Sequence, residues 1–159
     1  MMEQLSDRIR KLEIANEIRN RIAEQSRLQD VPYALEALEF YSSDSVMDLG
    51  DLGAYQDIEL KRQYYRELHK TVTFQLHYKF GRIHNVDPEK STADGTYVFL
   101  ELPITRGKAT FYIIRGEMQL KQEDGLWKLG QWDQRLASAP YDEGWANTEP
   151  IAAPTSMQQ

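Results

Sequence analysis

No cysteine occurs in the 159 residues. That single absence excludes disulfides, thiolate nucleophiles, iron–sulfur clusters and thiolate zinc sites together. Histidine is scarce as well: the three present fall in no HxH or HExxH spacing, which leaves a metal site with little support. A glycine-rich phosphate loop and a serine nucleophile elbow are also missing. Positive charge is short, with 19 Lys plus Arg against 25 Asp plus Glu, a net charge of −6 and an isoelectric point near 5.1. A basic footprint for nucleic acid or an anionic membrane is therefore lacking. Apolar runs stay as short as Tyr97-Val98-Phe99-Leu100, far below the ~18 residues of a membrane span. The opening MMEQLSDRIRK is charged throughout and has no apolar signal core. These absences predict a soluble, cytoplasmic chain that requires no cofactor.

What is present is globular. Hydrophobic residues make up 41% and charged residues 28% of the chain, enough for one core in one domain. Nine Tyr, five Phe and three Trp would suit a pocket for a flat ligand, although packing explains them equally well. Leu5, Ile9, Leu12, Ala15, Ile18 and Ile22 recur at helical spacing, so a first helix is predicted from Leu5 to about Gln29. Its stripe turns polar at Gln25, Ser26 and Gln29, as if the helix end lines something wet. Asp30-Val31-Pro32 breaks it and starts a second helix, from about Pro32 to Tyr41. Val46 to Leu49 reads as a short strand, and Asp57 to about His69 as a third helix.

After His69 the period becomes that of strands, near Thr71–Val86, Ser91–Pro103, Lys108–Lys121 and Leu126–Arg135. Arg106-Gly107 and Glu123-Asp124-Gly125 supply turn chemistry between them. Helices followed by hairpin-linked strands predict an α+β fold: a conical barrel of a curled antiparallel sheet packed against three N-terminal helices. The domain should cover residues 5–146, with residues 147–159 a disordered tail.

The order of these elements and several strings resemble the SnoaL-like polyketide cyclase and scytalone dehydratase group of the nuclear-transport-factor-2-like superfamily. The strings are Leu38-Glu39-Phe40-Tyr41-Ser42-Ser43-Asp44-Ser45-Val46, Leu52-Gly53-Ala54-Tyr55-Gln56-Asp57 and Glu123-Asp124-Gly125-Leu126-Trp127-Lys128-Leu129. Leu100-Glu101-Leu102-Pro103 and Pro140-Tyr141-Asp142-Glu143-Gly144-Trp145 complete the likeness. The scaffold hosts dehydratases, aldol cyclases, isomerases, dehydrohalogenases, carbon–carbon lyases and non-catalytic members, so the reaction must be argued from the site. In the dehydratase branch an Asp/His pair abstracts the proton while tyrosines polarise a carbonyl. The resemblance places the His at His77, and the Asp position at about Ser26 and Arg27, where no Asp stands.

Each candidate has a plain alternative. His77 would exchange a proton inside the cavity, yet Phe74, Leu76, Tyr78 and Phe80 alternate as the apolar face and leave His77 with Gln75 and Lys79. Arg27 would hold an anionic part of the substrate, or else be a solvent-facing helix end. Tyr55 would polarise a carbonyl at the cavity mouth, or pack under the third helix. Glu117 is a possible base if it points inward, but a surface pair with Arg115 fits its strand better.

Two functions from different classes follow. One is a cofactor-independent lyase, isomerase or cyclase moving a proton on an apolar, aromatic or polycyclic small molecule, by dehydration or retro-aldol chemistry. Its catalytic set would be His77, Arg27 and Tyr55, with substrate held among Met47, Leu49, Met118, Trp132 and Tyr141. The other is a non-catalytic small-molecule-binding protein or assembly partner using the same cavity. Convergent titratable groups in that cavity favour the enzyme. Apolar residues on both faces of Phe111-Tyr112-Ile113-Ile114 predict a homodimer or homotrimer.

Overall fold

A computed structural model describes residues 2–30 and 34–138 of the chain. Helix α1 spans Met2–Leu28 and is followed by a five-residue 3₁₀ turn, Glu36–Phe40. Strands β1 (Tyr41–Asp48) and β2 (Ala54–Tyr55) precede helix α2 (Ile58–His69). Then come β3 (Val72–Phe74), β4 (His77–Asp87), β5 (Thr92–Glu101), β6 (Ile104–Thr105), β7 (Lys108–Ala109), β8 (Tyr112–Glu123) and β9 (Leu126–Ser138). Six strands form one sheet in the order β2-β1-β9-β8-β5-β4, and β3, β6 and β7 form a small second one. The helices pack on the concave side, an α+β arrangement whose sheet does not close.

Three expectations need correction. Only two α-helices form among the described residues, because the segment expected to be the second is a 3₁₀ turn that passes directly into β1. The sheet is mixed, since β1 runs parallel to β9. Hairpin length constrains successive strands only, and these two strands lie at opposite ends of the sequence. The first long strand is interrupted at Gln75 and Leu76, where Leu76 exchanges backbone hydrogen bonds with Leu102 at 3.3 and 3.0 Å. Residues 139–159, which include Tyr141 and the expected tail, lie outside the described residues, as do residues 31–33.

Turn chemistry fixes the hairpins. Asp124 and Gly125 have φ of 54° and 77°, and Arg106 and Gly107 have 51° and 78°. Two successive positive values match the twist of the flanking strands, and glycine at the second position carries one without a Cβ clash. Helix α2 begins at Asp57, whose carboxylate accepts from the Glu59 amide at 2.6 Å. Lys61 ties α2 to the sheet, its Nζ donating to the Ser45 carbonyl at 2.7 Å.

The core sits between α1 and the sheet. Ala15, Ile18 and Ile22 are buried, whereas Leu5, Ile9 and Leu12 are exposed. Met118 fills the middle of the cup. A Cβ at Gly81 would meet its methyl at 3.3 Å and one at Gly95 at 2.9 Å, so the two glycines leave the space it occupies. Tyr97 stacks on Trp132 with ring centroids 3.7 Å apart and planes 8° from parallel.

Candidate active site

The polarity of β4 decides the site. Its side chains alternate, and the apolar set is the outer one: Tyr78 and Phe80 are 55% and 63% exposed. The inner set is therefore Gln75 just before the strand, then His77 and Lys79. A strand normally turns its apolar face to the core; here the concave side carries the polar set, so the helix above must supply polar partners. The polar end of α1 does so, with Gln25, Ser26 and Gln29 all buried.

His77 is held at every polar backbone and ring contact it makes. Its backbone amide donates to Asp30 Oδ1 at 2.9 Å, and its carbonyl accepts from Ser26 Oγ at 3.0 Å. The same Asp30 oxygen lies 3.0 Å from Nδ1. A carboxylate accepts, so Nδ1 is the donor of this contact, and in the neutral imidazole the lone pair then falls on Nε2. Nε2 has no hydrogen-bond partner among the described residues, and the His77 side chain is only 8% exposed.

Asp30 is the site residue that sequence reading missed. The acidic partner was sought at Ser26 and Arg27, inside the helix, and read as absent. It comes instead from the turn that ends α1, across a separation of 47 residues from His77.

The structure does not bring Arg27, His77 and Tyr55 together. Arg27 points outward: its side chain is 61% exposed and its NH2 lies 2.7 Å from Glu24 on the same helix. Each residue advances the helix by about 100°, so Arg27, one position past the buried Ser26, falls on the solvent face. Tyr55 spends its hydroxyl on the Leu52 carbonyl at 2.8 Å and packs its ring against Tyr64 at 5.0 Å. Tyr64 stands in the cavity wall in front of it, and its hydroxyl has no hydrogen-bond partner among the described residues. Burial raises its phenol well above the ordinary value, and does the same for Tyr41 and Tyr65, so all three stay protonated donors.

Met47, Leu49 and Trp132 line the cavity. Met118, 1% exposed, is packed beneath it as core and is no wall residue. Glu117 is exposed beside Arg115, which settles its parity: it faces outward. The enclosed space is small, about 40 Å³, and Gln75, His77, Lys79, Glu101 and Gln134 give it a polar side.

Lys79 completes the set. Its Nζ donates to Gln25 Oε1 at 2.9 Å and to Gln29 Oε1, and lies 4.8 Å from the Trp132 ring centre. Burial pulls its ammonium down to about 7, against the weaker opposing pull of Glu101 and Asp30. Gln29 is fixed in turn, since its Nε2 donates to the Tyr65 hydroxyl at 2.7 Å. Gln75 donates to Glu101 and leaves a buried Oε1 without a partner among the described residues.

No protein-family model matches the chain, and no curated protein does. Solved structures do, and they show its fold: the chain has the cone-shaped α+β fold of the nuclear-transport-factor-2-like and SnoaL-like proteins. A type 2 hexachlorocyclohexane dehydrochlorinase aligns with a TM-score of 0.71 at 15% identity, over 89% of this chain and 93% of its own. A candidate scytalone dehydratase from Novosphingobium aromaticivorans aligns at 0.68 and 14%, over 89% and 93%. An NTF2-like protein with a cystatin-like fold, from the same organism, aligns at 0.68 and 17%, over 86% and 90%. At these identities the likeness is one of fold. No helix among the described residues is long and apolar enough to cross a membrane.

Proposed function

We propose that the protein is a small-molecule lyase or isomerase in which His77 moves a proton and Asp30 holds His77 ready to do so. The carrying observation is the single Asp30 oxygen that fixes both the amide and the ring of His77 and leaves Nε2 unpartnered in the cavity wall. An imidazole so held needs no reorientation when it takes a proton, and the carboxylate stabilises the imidazolium that forms. Tyr64 O–H is the group placed to stabilise negative charge developing on a substrate oxygen or leaving group.

Trp132 and Phe99 form an apolar wall, which favours an aromatic or otherwise flat substrate. The enclosed volume of about 40 Å³ is far below the ~300 Å³ at the lower end of drug-sized pockets. It holds the reacting end of a substrate, whose remaining body lies toward the mouth. A carrier gains nothing from three convergent titratable side chains, and His77, Lys79 and Glu101 are such a set.

The test is exchange of the acidic C–H next to the carbonyl of one-ring aryl ketones in D₂O, followed by NMR. Wild-type protein should accelerate exchange. His77→Gln should remove a general base and with it about 10²–10⁴-fold of the rate, and Asp30→Asn a substantial part of the same. Equal rates in wild type and His77→Gln would dismiss this reading.

A further inference from the structure

We infer that Lys79 is a carbonyl-capturing nucleophile: its amine condenses with a small aromatic aldehyde or ketone to form an imine inside the cavity. An ammonium presents three N–H donors. Among the described residues its Nζ finds two acceptors, the Gln25 and Gln29 amide oxygens. Two acceptors satisfy a neutral amine and leave its lone pair over; they leave an ammonium one bond short. No carboxylate among the described residues lies within ion-pair distance of Nζ, although nine other cationic side chains, of both lysine and arginine, make such pairs. What faces the nitrogen instead is the Trp132 ring at 4.8 Å and the Phe99 ring at 5.5 Å. Flat apolar faces beside an uncharged amine suit the ring of an aryl carbonyl compound.

The titratable groups facing Lys79 are Asp30 after α1, His77 on its own strand, Glu101 on β5, Tyr41 on β1, and Tyr64 and Tyr65 on α2. Burial outweighs the attraction of the two carboxylates, so the amine sheds its proton near 7.

The chemistry balances without an oxidant. The Nζ lone pair forms a bond to the carbonyl carbon, the C=O π pair moves to oxygen, and a proton passes from nitrogen to that oxygen. The carbinolamine C–O bond then breaks, the hydroxyl leaves as water with a second proton, and the nitrogen lone pair closes C=N. One water is released per imine. His77 is two residues away on the same strand face, about 7 Å along the chain, where its Nε2 can relay that second proton from water. A protonated imine on Lys79 would also acidify the neighbouring C–H toward His77. Capture itself needs no proton abstraction, and the inference stands apart from the proposed function in that respect.

The experiment uses the full chain with benzaldehyde and sodium cyanoborohydride at pH 7, followed by proteolysis and mass mapping. Cyanoborohydride reduces the imine to a stable secondary amine. The expected result is a reduced adduct on Lys79 that forms at least tenfold faster than on any other lysine. Its rate should rise through pH 7 and level off, whereas surface lysines continue to gain toward pH ~10. Labelling spread evenly over the lysines, or absent from Lys79, would overturn the inference. An adduct without catalysed C–H exchange would sink the proton-transfer reading and leave this one standing; exchange without an adduct would do the reverse.

Discussion

Replacing Lys79 with Met gives a measurement of what the cavity does to a charge. Met is unbranched and similar in length, so it fills the space against Trp132 and Phe99 without a proton to carry. In the folded protein Lys79 loses its proton near 7, whereas in the unfolded chain it does so near ~10.4. Below pH ~7 both states of the native protein hold the proton, and the penalty for burying the charge is fully present. Between those two values the unfolded chain binds the extra proton and the folded one does not. Stability therefore rises with pH, by up to about 1.4 kcal/mol per unit. From pH 7 to pH 9 the native protein should gain about 2 kcal/mol relative to Lys79→Met.

The variant also strands the Gln25 and Gln29 carbonyls, at a cost of about 1–3 kcal/mol each. That cost does not vary with pH, and every other titration is common to the two proteins. The difference between them thus isolates Lys79. Urea unfolding at pH 6, 7, 8 and 9 reads it: at 1–3 kcal/mol per molar urea, the midpoints should move apart by about 1 M over the last two units. Midpoints that keep a constant separation across this range would show that Lys79 keeps an ordinary charge in the cavity and refute the reasoning.

Further outcomes follow from other parts of the structure. Arg27→Ala should leave catalysis unchanged and shift stability by less than ~0.5 kcal/mol, as expected for an exposed pair on one helix; activity assays and thermal melts check both. Gly95→Ala should cost about 2–3 kcal/mol by chemical denaturation, since the added Cβ runs into the Arg82 carbonyl oxygen and the Met118 methyl. Light scattering should return a multiple of 18.6 kDa, because Phe80 and Val98 are paired across β4 and β5 and exposed at 63% and 42%. A monomeric mass at micromolar concentration would exclude that assembly.

Much of the site was already written in the alternation of β4, but with its direction open. Period two separates Gln75, His77 and Lys79 from Phe74, Tyr78 and Phe80 whatever the fold. Which set faces inward depends on what packs against the strand, and that information lies some 50 residues upstream, in the polar end of α1. The loss of apolar character at Gln25, Ser26 and Gln29 was legible, and the structure buries all three against the polar side of β4. Asp30 was not legible as a site residue, because an Asp before Val-Pro reads first as a helix terminator. Its second role exists only because β4 begins under that turn. Likewise Tyr55 and Tyr64 are both aromatic residues near the mouth, and only the hydrogen bond from Tyr55 to Leu52 shows which hydroxyl is spent.

The Tyr97–Trp132 stack gives the protein an internal optical reporter. Trp132 is 2% exposed, shielded from bulk quenchers, and lies 4.8 Å from the one amine in the cavity whose charge changes near neutrality. An ammonium close to an indole face shifts the field its excited state feels, and a neutral amine does not. Tryptophan emission should therefore change colour and intensity as pH crosses 7, and again when anything displaces or modifies Lys79. Occupancy of the cavity can then be followed in solution by fluorescence alone, with no label attached and before any substrate has been identified.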